Sequence, residues 1–76
     1  MNTKNILVVD DEFKILDVIS SLLESKGYRV FRAETGFQSL EIFDRENISL
    51  LVLDLMLPDI TGEDVCKRIR KKSRVP

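Results

Sequence analysis

Two short apolar runs that each end in aspartate constrain most strongly what this 76-residue chain can fold into. The first run covers residues 6–9 and is followed by Asp10 and Asp11, and the second covers residues 50–53 and is followed by Asp54. Continuous apolar runs of this length are typical of parallel strands that are covered on both faces of a sheet. Both runs therefore predict buried strands whose carboxyl ends carry acidic side chains.

The rest of the chain predicts three helices and one further strand. A helix is expected at about residues 12–26, with Gly27 as its C-terminal cap, and a strand at 28–31. A second helix opens at Thr35 and fades near Glu46, and the last strand covers residues 49–54. Thr61 and Asp64 resemble a capping box at the start of a third helix.

Each predicted helix has apolar residues that are expected on its inner face. For the first helix these are Ile15, Leu16, Val18, Ile19, Leu22 and Leu23. For the second they are Phe37, Leu40 and Phe43, and for the third they are Val65, Cys66 and Ile69.

The resulting βαβαβα order predicts an α/β fold with a parallel sheet and right-handed crossovers. The simplest arrangement is a doubly wound sheet with strand order 2-1-3, with the first two helices on opposite faces. The first and third strands are then neighbours at a topological switch point, where open α/β sheets bind ligands. Asp10, Asp11 and Asp54 are expected to converge there.

Three carboxylates at one sheet edge repel one another, by about 4 kcal/mol per close pair at an effective dielectric constant of about 20. Mg²⁺ would relieve this repulsion, because it prefers oxygen ligands and keeps waters that phosphate oxygens can replace. Asp54 could then attack phosphorus to form an acyl phosphate. Each aspartate also has an ordinary interpretation, since Asp10 or Asp11 could cap a helix and Asp54 could simply end a strand. Capping explains one of the three residues, but not all of them.

The composition excludes several other kinds of site. Cys66 is the single cysteine and histidine is absent, which rules out an internal disulfide, a Cys-His zinc site and Cys-His catalysis. No apolar run approaches the roughly 18 residues of a membrane span, and no secretory signal precedes the first strand, so a cytoplasmic protein without membrane contact is expected.

The charges are unevenly distributed although the net charge is −1. Residues 1–66 hold all 13 acidic groups and six basic ones, and the other six basic residues lie between Lys67 and Arg74. A solvated helix end, whose cations suit the C-terminal dipole, explains this cluster better than DNA binding does.

Two segments of the sequence resemble the receiver domain of bacterial two-component response regulators. They are Val8-Val9-Asp10-Asp11-Glu12 and residues 53–62, in which a strand-ending aspartate precedes a hydrophobic loop with Leu57-Pro58-Asp59 and then Gly62. The family's fold is a flavodoxin-like doubly wound parallel sheet. Asp11-Glu12 after the first predicted strand and Leu57-Pro58-Asp59 in the loop are similar to the corresponding segments of regulators that carry a C-terminal winged-helix DNA-binding domain.

The resemblance implies a role for each matching residue. Asp54 matches the phosphoacceptor, Asp11 the direct Mg²⁺ ligand, Asp10 the acid that acts through a metal-bound water, and Met56 the position whose backbone carbonyl completes the metal site. The phosphoryl donor would be a phosphohistidine on a sensor histidine kinase. The resemblance then implies a phosphoacceptor that regulates an attached output, with transcription as the expected output, rather than an enzyme.

By the same resemblance, residues 1–76 supply the N-terminal part of a receiver domain, with three of its five βα units and without an output domain. Residues 74–76 resemble the approach to a fourth strand. The family's switch Ser/Thr and conserved Lys would follow, and Lys67, Lys71 and Lys72 are not convincing substitutes. Because the third strand is then an apolar edge, self-association of the 76-residue chain is expected.

Two alternative functions remain open from the residues. A phosphatase with an aspartyl nucleophile usually has a second acid two residues after it, and Met56 occupies that position here. The chain could also be a signalling-incompetent piece that acts only through dimerisation.

Overall fold

The computed structural model describes residues 4–54 and 56–73. Strands and helices alternate within this part of the chain, which confirms the predicted βαβαβα order. The strands are β1 (Asn5–Val9), β2 (Arg29–Ala33) and β3 (Leu50–Leu53), and the helices are α1 (Phe13–Ser25), α2 (Gly36–Arg45) and α3 (Gly62–Arg70). Residues 74–76, where the approach to a fourth strand is predicted, lie outside the described residues.

The three strands form a parallel sheet in the order β2-β1-β3, as predicted. In the register of this sheet, Leu7 of β1 lies between Phe31 of β2 and Leu51 of β3. The central strand β1 is the most buried strand, with four of its five residues buried. Its carboxyl end therefore lies between those of the other two strands, and this end carries the acidic residues.

Helices α1 and α2 cover opposite faces of the sheet, which confirms the predicted double winding. On one face the buried core consists of Ile6, Val8 and Leu16. On the other face it consists of Leu7, Val9, Ala33, Ile42 and Ile48. The alternation of these positions along β1 follows from the two-residue period of a strand.

The predicted limits of the second and third strands are wrong by a few residues. Strand β2 starts one residue later than predicted, because Tyr28 is still tied to α1 by a 3.2 Å hydrogen bond from its N–H to the carbonyl of Leu23. It also continues to Ala33, because Arg32 and Ala33 pair with Val8 and Val9 of β1. Strand β3 is shorter than predicted, although its ladder hydrogen bonds reach residues 49 and 54.

The inner face of α1 is narrower than the six apolar residues predicted. Leu16 is buried, and Ile19 and Leu23 pack against the same core. The other three, Ile15, Val18 and Leu22, are 42%, 67% and 56% exposed. Arg32 of β2 pairs with Asp17 at 3.2 Å and with Glu24 at 3.9 Å, on the flank of α1 nearest β2. The exposed apolar residues are on the opposite flank.

The inner face of α2 differs from the prediction, because Ile42 rather than Phe37 reaches the core. Ile42 is buried, whereas Phe37 is half exposed. In α3, Val65 and Ile69 are buried as predicted and Cys66 is half-buried. Gly27 has the positive φ of 93° expected of a C-terminal cap. In the part of the chain that the structure describes, no helix is long and apolar enough to cross a membrane.

Candidate functional site: an acidic cluster at the carboxyl edge of the sheet

The backbone carries two of the aspartates to the same edge of the sheet. The N–H of Asp10 donates to the carbonyl of Ala33 at 3.1 Å, which extends the β1–β2 ladder by one residue. The N–H of Asp54 donates to the carbonyl of Val9 at 2.9 Å, which does the same between β3 and β1. Both residues are thus fixed by the parallel sheet itself, directly after the apolar strands β1 and β3.

The carboxylates of Asp10, Asp11 and Asp54 form one cluster. One oxygen of each lies within 4.8 Å of an oxygen of the others. Asp10 is buried, Asp54 is half-buried and Asp11 is exposed. An open cavity of about 400 Å³ adjoins the cluster, and Asp10, Asp54 and Ile15 are among its lining residues. The three residues that the sequence singles out are therefore together, and a small ligand can reach them from solvent.

Two of these carboxylates also accept local hydrogen bonds. Asp10 Oδ1 accepts from the N–H of Glu12 at 2.8 Å, and Asp54 Oδ1 accepts from the N–H of Met56 at 3.1 Å. The N-cap of α1 is Glu12, whose side chain makes no capping hydrogen bond. Neither Asp10 nor Asp11 is therefore the N-cap of α1, and Asp10 instead stabilises the turn that precedes the helix while it also belongs to the cluster.

The donor set suits a hard divalent cation. Three carboxylates supply only oxygen ligands, which is the chemistry that Mg²⁺ prefers, and Mg²⁺ usually takes few protein ligands and retains several waters. The oxygens lie within 4.8 Å of one another, close to the distance of about 4.2 Å that separates two opposite ligands of Mg²⁺, so a small side-chain movement would let one ion contact more than one of them. The cluster therefore fits magnesium better than the softer metals that select sulfur or imidazole ligands.

This geometry can be compared with known proteins. Residues 6–76 match the family model described as the response regulator receiver domain. The chain belongs to this family. The resemblance predicted from its two aspartate-bearing segments is therefore confirmed, and so is the flavodoxin-like fold that the resemblance implies.

One curated relative of this receiver chain is the "Probable transcriptional regulator ycf27" of Cyanophora paradoxa. The two sequences are 43% identical over 76 residues, which is all of this chain and 32% of the relative. The chain thus spans about a third of the length of this relative.

Two solved structures of one response regulator are also similar. TrrA from Thermotoga maritima in complex with Mg²⁺-BeF has a TM-score of 0.90 and 41% identity, and the match covers 93% of this chain and 62% of that one. TrrA in complex with the histidine kinase ThkA has a TM-score of 0.88 and 41% identity, with 93% and 61% covered. At this level of similarity the receiver fold extends over nearly the whole chain.

The loop between β3 and α3 contains a residue whose role the sequence did not reveal. The sequence places Asp59 in the loop segment that resembles the receiver family and assigns it no role. In the structure its carboxylate accepts hydrogen bonds from the N–H groups of Gly36 and Phe37 at the start of α2. Those partners are 23 and 22 residues away in the sequence. No local pattern signals such a contact, because the order of the strands brings the two loops together.

The basic end of α3 lies away from the acidic cluster. Helix α3 starts near the carboxyl edge of the sheet and runs back, and Lys72, just after its end, forms an ion pair with Asp44 near the end of α2. Arg68 lies over the ring of Phe37, 5.7 Å from its centroid. The cluster of cations is thus at least partly paired within the fold, in keeping with a solvated helix end.

An exposed apolar surface adjoins the cavity at the carboxylates. We name Ile15, Val18 and Leu22 the α1 stripe, because their spacing places them along one flank of the helix. Ile15 also lines the cavity beside Asp54. The helical spacing of these residues was recognised in the sequence, but all three were predicted to lie on the inner face of the helix.

Proposed function

We propose that this chain is the phosphoacceptor part of a two-component response regulator, with Asp54 as the acceptor. The single observation that carries the proposal is the cluster of Asp10, Asp11 and Asp54, at the switch point of a receiver fold and open to solvent. Asp54 is the member that follows the edge-side strand β3 and is only half-buried. Its carboxylate is therefore accessible to a phosphoryl donor.

In the proposed reaction a carboxylate oxygen of Asp54 attacks the phosphorus of a phosphohistidine on a sensor kinase. A phosphorus–oxygen bond forms, the phosphorus–nitrogen bond breaks, and the imidazole leaves with the electron pair and takes up a proton. The product is an aspartyl phosphate. The chain has no histidine, so the imidazole belongs to the donor.

Asp10, Asp11, Asp54 and the backbone carbonyl of Met56 would hold the Mg²⁺ ion in this proposal. When bound, the ion supplies charge neutralisation for the phosphoryl oxygens. Asp10 is the buried member and is fixed by its ladder hydrogen bond and by the N–H of Glu12. Asp11 is exposed and supplies a ligand from the solvent side. The complex of TrrA with Mg²⁺-BeF supports this assignment.

The α1 stripe is the proposed contact surface for the kinase. Any protein that delivers a phosphoryl group to Asp54 must touch the rim of the adjoining cavity, and Ile15 belongs to both the rim and the stripe. Val18 and Leu22 extend this rim by two helical turns of exposed apolar surface. The complex of the related TrrA with a histidine kinase supports a partner of this class.

The proposed output is the regulation of transcription by a part of the protein beyond this chain. The support is the relative named a probable transcriptional regulator, of which the chain covers only 32%. In this proposal DNA is contacted by the output region and the receiver chain controls it. A phosphatase is disfavoured, because position 56 carries methionine where a second acid would be needed.

The proposal is tested with Mg²⁺ and a small acyl-phosphate donor, followed by mass spectrometry of the intact protein. A labile phosphoryl adduct is expected, and Asp54→Asn should abolish it, as should removal of Mg²⁺ with a chelator. Asp64→Asn is the matched control, because Asp64 is an exposed acid in the first turn of α3. An adduct that persists in Asp54→Asn would assign the acceptor elsewhere.

A further inference from the structure

Asp59 joins the loop after β3 to the start of α2 by two hydrogen bonds. Its Oδ1 accepts from the N–H of Gly36 and its Oδ2 from the N–H of Phe37, each at 2.8 Å. Both carboxylate oxygens are therefore used, and each contacts a different peptide group of the same helical turn. Hydrogen bonds to an ionised carboxylate are stronger than neutral ones, so this contact is a firm attachment.

The contact completes the amino end of α2, whose first N–H groups have no partner within the helix. Thr35 Oγ1 accepts from the N–H of Gln38 at 3.1 Å, and Asp59 accepts from the two preceding groups. A negative charge is also favourable at this end of the helix dipole. Partial desolvation raises the pKa of Asp59, but hydrogen bonds from the backbone, led by that of Phe37, outweigh it and hold the pKa below 3.8.

The same loop carries the groups proposed to act in the acidic cluster. The N–H of Met56 donates to Asp54 Oδ1 at 3.1 Å, and the carbonyl of Met56 is the proposed fourth ligand of Mg²⁺. Only four residues separate Asp54, which is fixed by β3, from Asp59, which is fixed by α2. The course of the backbone at Met56 is thus restrained from both sides.

The other contacts described for this loop differ from that of Asp59 in kind or in position, and they include the side chain of Ile60, which lies against Gly36. Leu57 packs against the core beneath α2, and Thr61 caps α3 by accepting from the N–H of Asp64. Leu57 contributes an apolar side-chain contact, and Ile60 and Thr61 lie after Asp59 in the chain. Among the described residues of this loop, Asp59 makes the hydrogen bonds that attach it to the start of α2 on the β2 side.

We propose that Asp59 is a positioning residue, which holds the β3–α3 loop against the amino end of α2 so that the Met56 carbonyl is presented to Mg²⁺ beside Asp54. This inference rests on the proposed function, because it concerns the same metal site. The inference goes beyond the proposed function, because it states that Asp59, a residue outside the acidic cluster, contributes to the affinity for Mg²⁺. Outer partners that orient metal ligands commonly change affinity by tenfold or more when they are removed.

The test compares Mg²⁺ binding by titration calorimetry in the intact protein and three variants. Asp59→Ala removes both hydrogen bonds, and Asp59→Asn removes the charge but keeps an acceptor. Thr35→Ala is the matched control, because it deletes another hydrogen bond of the same helix end without touching the loop. Thermal unfolding of each variant shows whether the fold is retained and how far the helix end has been weakened.

We expect Asp59→Ala to weaken Mg²⁺ binding about tenfold. We expect Thr35→Ala to lower thermal stability while Mg²⁺ affinity stays within about twofold of the parent, and Asp59→Asn to fall between the parent and Asp59→Ala. The Mg²⁺ concentration needed for half-maximal adduct formation should shift by the same factor in Asp59→Ala, while saturating Mg²⁺ restores the adduct.

Two results would overturn the inference. They are an unchanged Mg²⁺ affinity in Asp59→Ala and an equal loss of affinity in Thr35→Ala. If Asp59→Ala does not fold, the Mg²⁺ affinities of Asp59→Asn and Thr35→Ala are compared instead. A loss of affinity in Asp59→Asn but not in Thr35→Ala supports the inference, and equal affinities contradict it. Failure of the proposed function is a separate result, since the parent protein would then form no adduct at Asp54.

Discussion

Gly36, the first residue of α2, lies directly against the side chain of Ile60 in the β3–α3 loop. A methyl group on Gly36 would overlap Ile60 Cγ1 and would lie 3.0 Å from Ile60 Cδ1 and 3.1 Å from Val65 Cγ2. The absence of a side chain at position 36 thus allows the two loops at the carboxyl edge to approach each other. The hydrogen bond from the N–H of Gly36 to Asp59 depends on the same approach.

Gly36→Ala should therefore lower the free energy of unfolding by about 1–3 kcal/mol, the usual cost of overpacking. Ile60→Ala makes room for the new methyl group, so the cost of Gly36→Ala should fall in that background, with a coupling of about 0.5–3 kcal/mol. Urea denaturation of the double-mutant cycle measures both quantities.

Gly27 provides the control for this cycle. It has a φ of 93° and its Cβ position has nothing within 4 Å, so Gly27→Ala costs stability through backbone strain alone. Its cost should be the same with and without Ile60→Ala. If the loss of unfolding free energy caused by Gly36→Ala is also the same with and without Ile60→Ala, crowding against Ile60 is not its cause.

The strands and the acidic cluster were the most predictable parts of this protein. Buried parallel strands have a continuous apolar signal, and their carboxyl ends necessarily share one edge, so Asp10 and Asp54 could be brought together from the sequence alone. The buried face of α1 could not be predicted in the same way, because Leu16 and Val18 both fit the helical spacing of apolar residues. Only the position of the sheet shows which of them faces inward.

Contacts between loops were the least predictable. The two ends of the Asp59–Phe37 hydrogen bond are 22 residues apart, and each lies in a segment that has an ordinary turn or cap interpretation by itself. Their meeting depends on the strand order and on the small size of Gly36. The strand order was predicted and Gly36 is visible in the sequence, but neither of them shows that these two loops meet through Asp59.

Asp59 should contribute to the acid sensitivity of the fold. Because the pKa of Asp59 is lowered in the folded state, its contribution is fully present above the unfolded value of 3.8 and is lost as the pH falls below 3.8 through the folded pKa. Asp59→Asn should therefore be less stable than the parent protein at neutral pH, and the difference should shrink as the pH falls below 3.8. Denaturation of both proteins as a function of pH measures this, and a difference that does not vary with pH would contradict it.

Removal of one charge from the acidic cluster should stabilise the metal-free protein. Asp11 is the exposed member of the cluster, so Asp11→Asn relieves repulsion without disturbing a buried group. A gain of about 1 kcal/mol is expected, because solvent screens an exposed pair at this range. Mg²⁺ should raise the unfolding temperature of the parent more than that of Asp11→Asn, since binding to the folded state alone is stabilising.

Thermal unfolding with and without Mg²⁺ checks both expectations for Asp11. Glu41→Gln is a suitable control, because it removes one exposed acid from α2, outside the cluster. An equal response of the parent and Asp11→Asn to Mg²⁺ would argue against Asp11 as a ligand.

The α1 stripe should matter for phosphorylation by a kinase but not for the chemistry at Asp54. Val18→Glu places a charge on a residue that is 67% exposed, so the fold should tolerate it. Transfer from the sensor kinase should slow by tenfold or more, the usual effect of losing more than about 1.4 kcal/mol at a binding surface. Adduct formation from a small acyl-phosphate donor should be unchanged.

The control for Val18→Glu is Ser21→Glu, which adds the same charge to an exposed position of the same helix. Initial rates of transfer from the phosphorylated kinase, measured over a range of receiver concentrations, separate weaker binding from slower chemistry. Equal slowing by both variants would mean that charge on α1, rather than the apolar stripe, governs the interaction.

The 76-residue chain, when produced alone, should self-associate. Within the described residues β3 pairs only with β1, and all four of its apolar residues remain half-buried. Cavities of about 400 and 310 Å³ open beside it, the first lined by Val52 and Leu53 and the second by Leu50. An apolar strand with an unpaired edge recruits further strands, and burial of its surface stabilises the association.

The average molecular mass measured by light scattering should therefore rise with protein concentration. Val52→Gln should weaken this rise, whereas Phe37→Gln, on the exposed side of α2, should not. A chain that stays monomeric at high concentration would contradict the prediction.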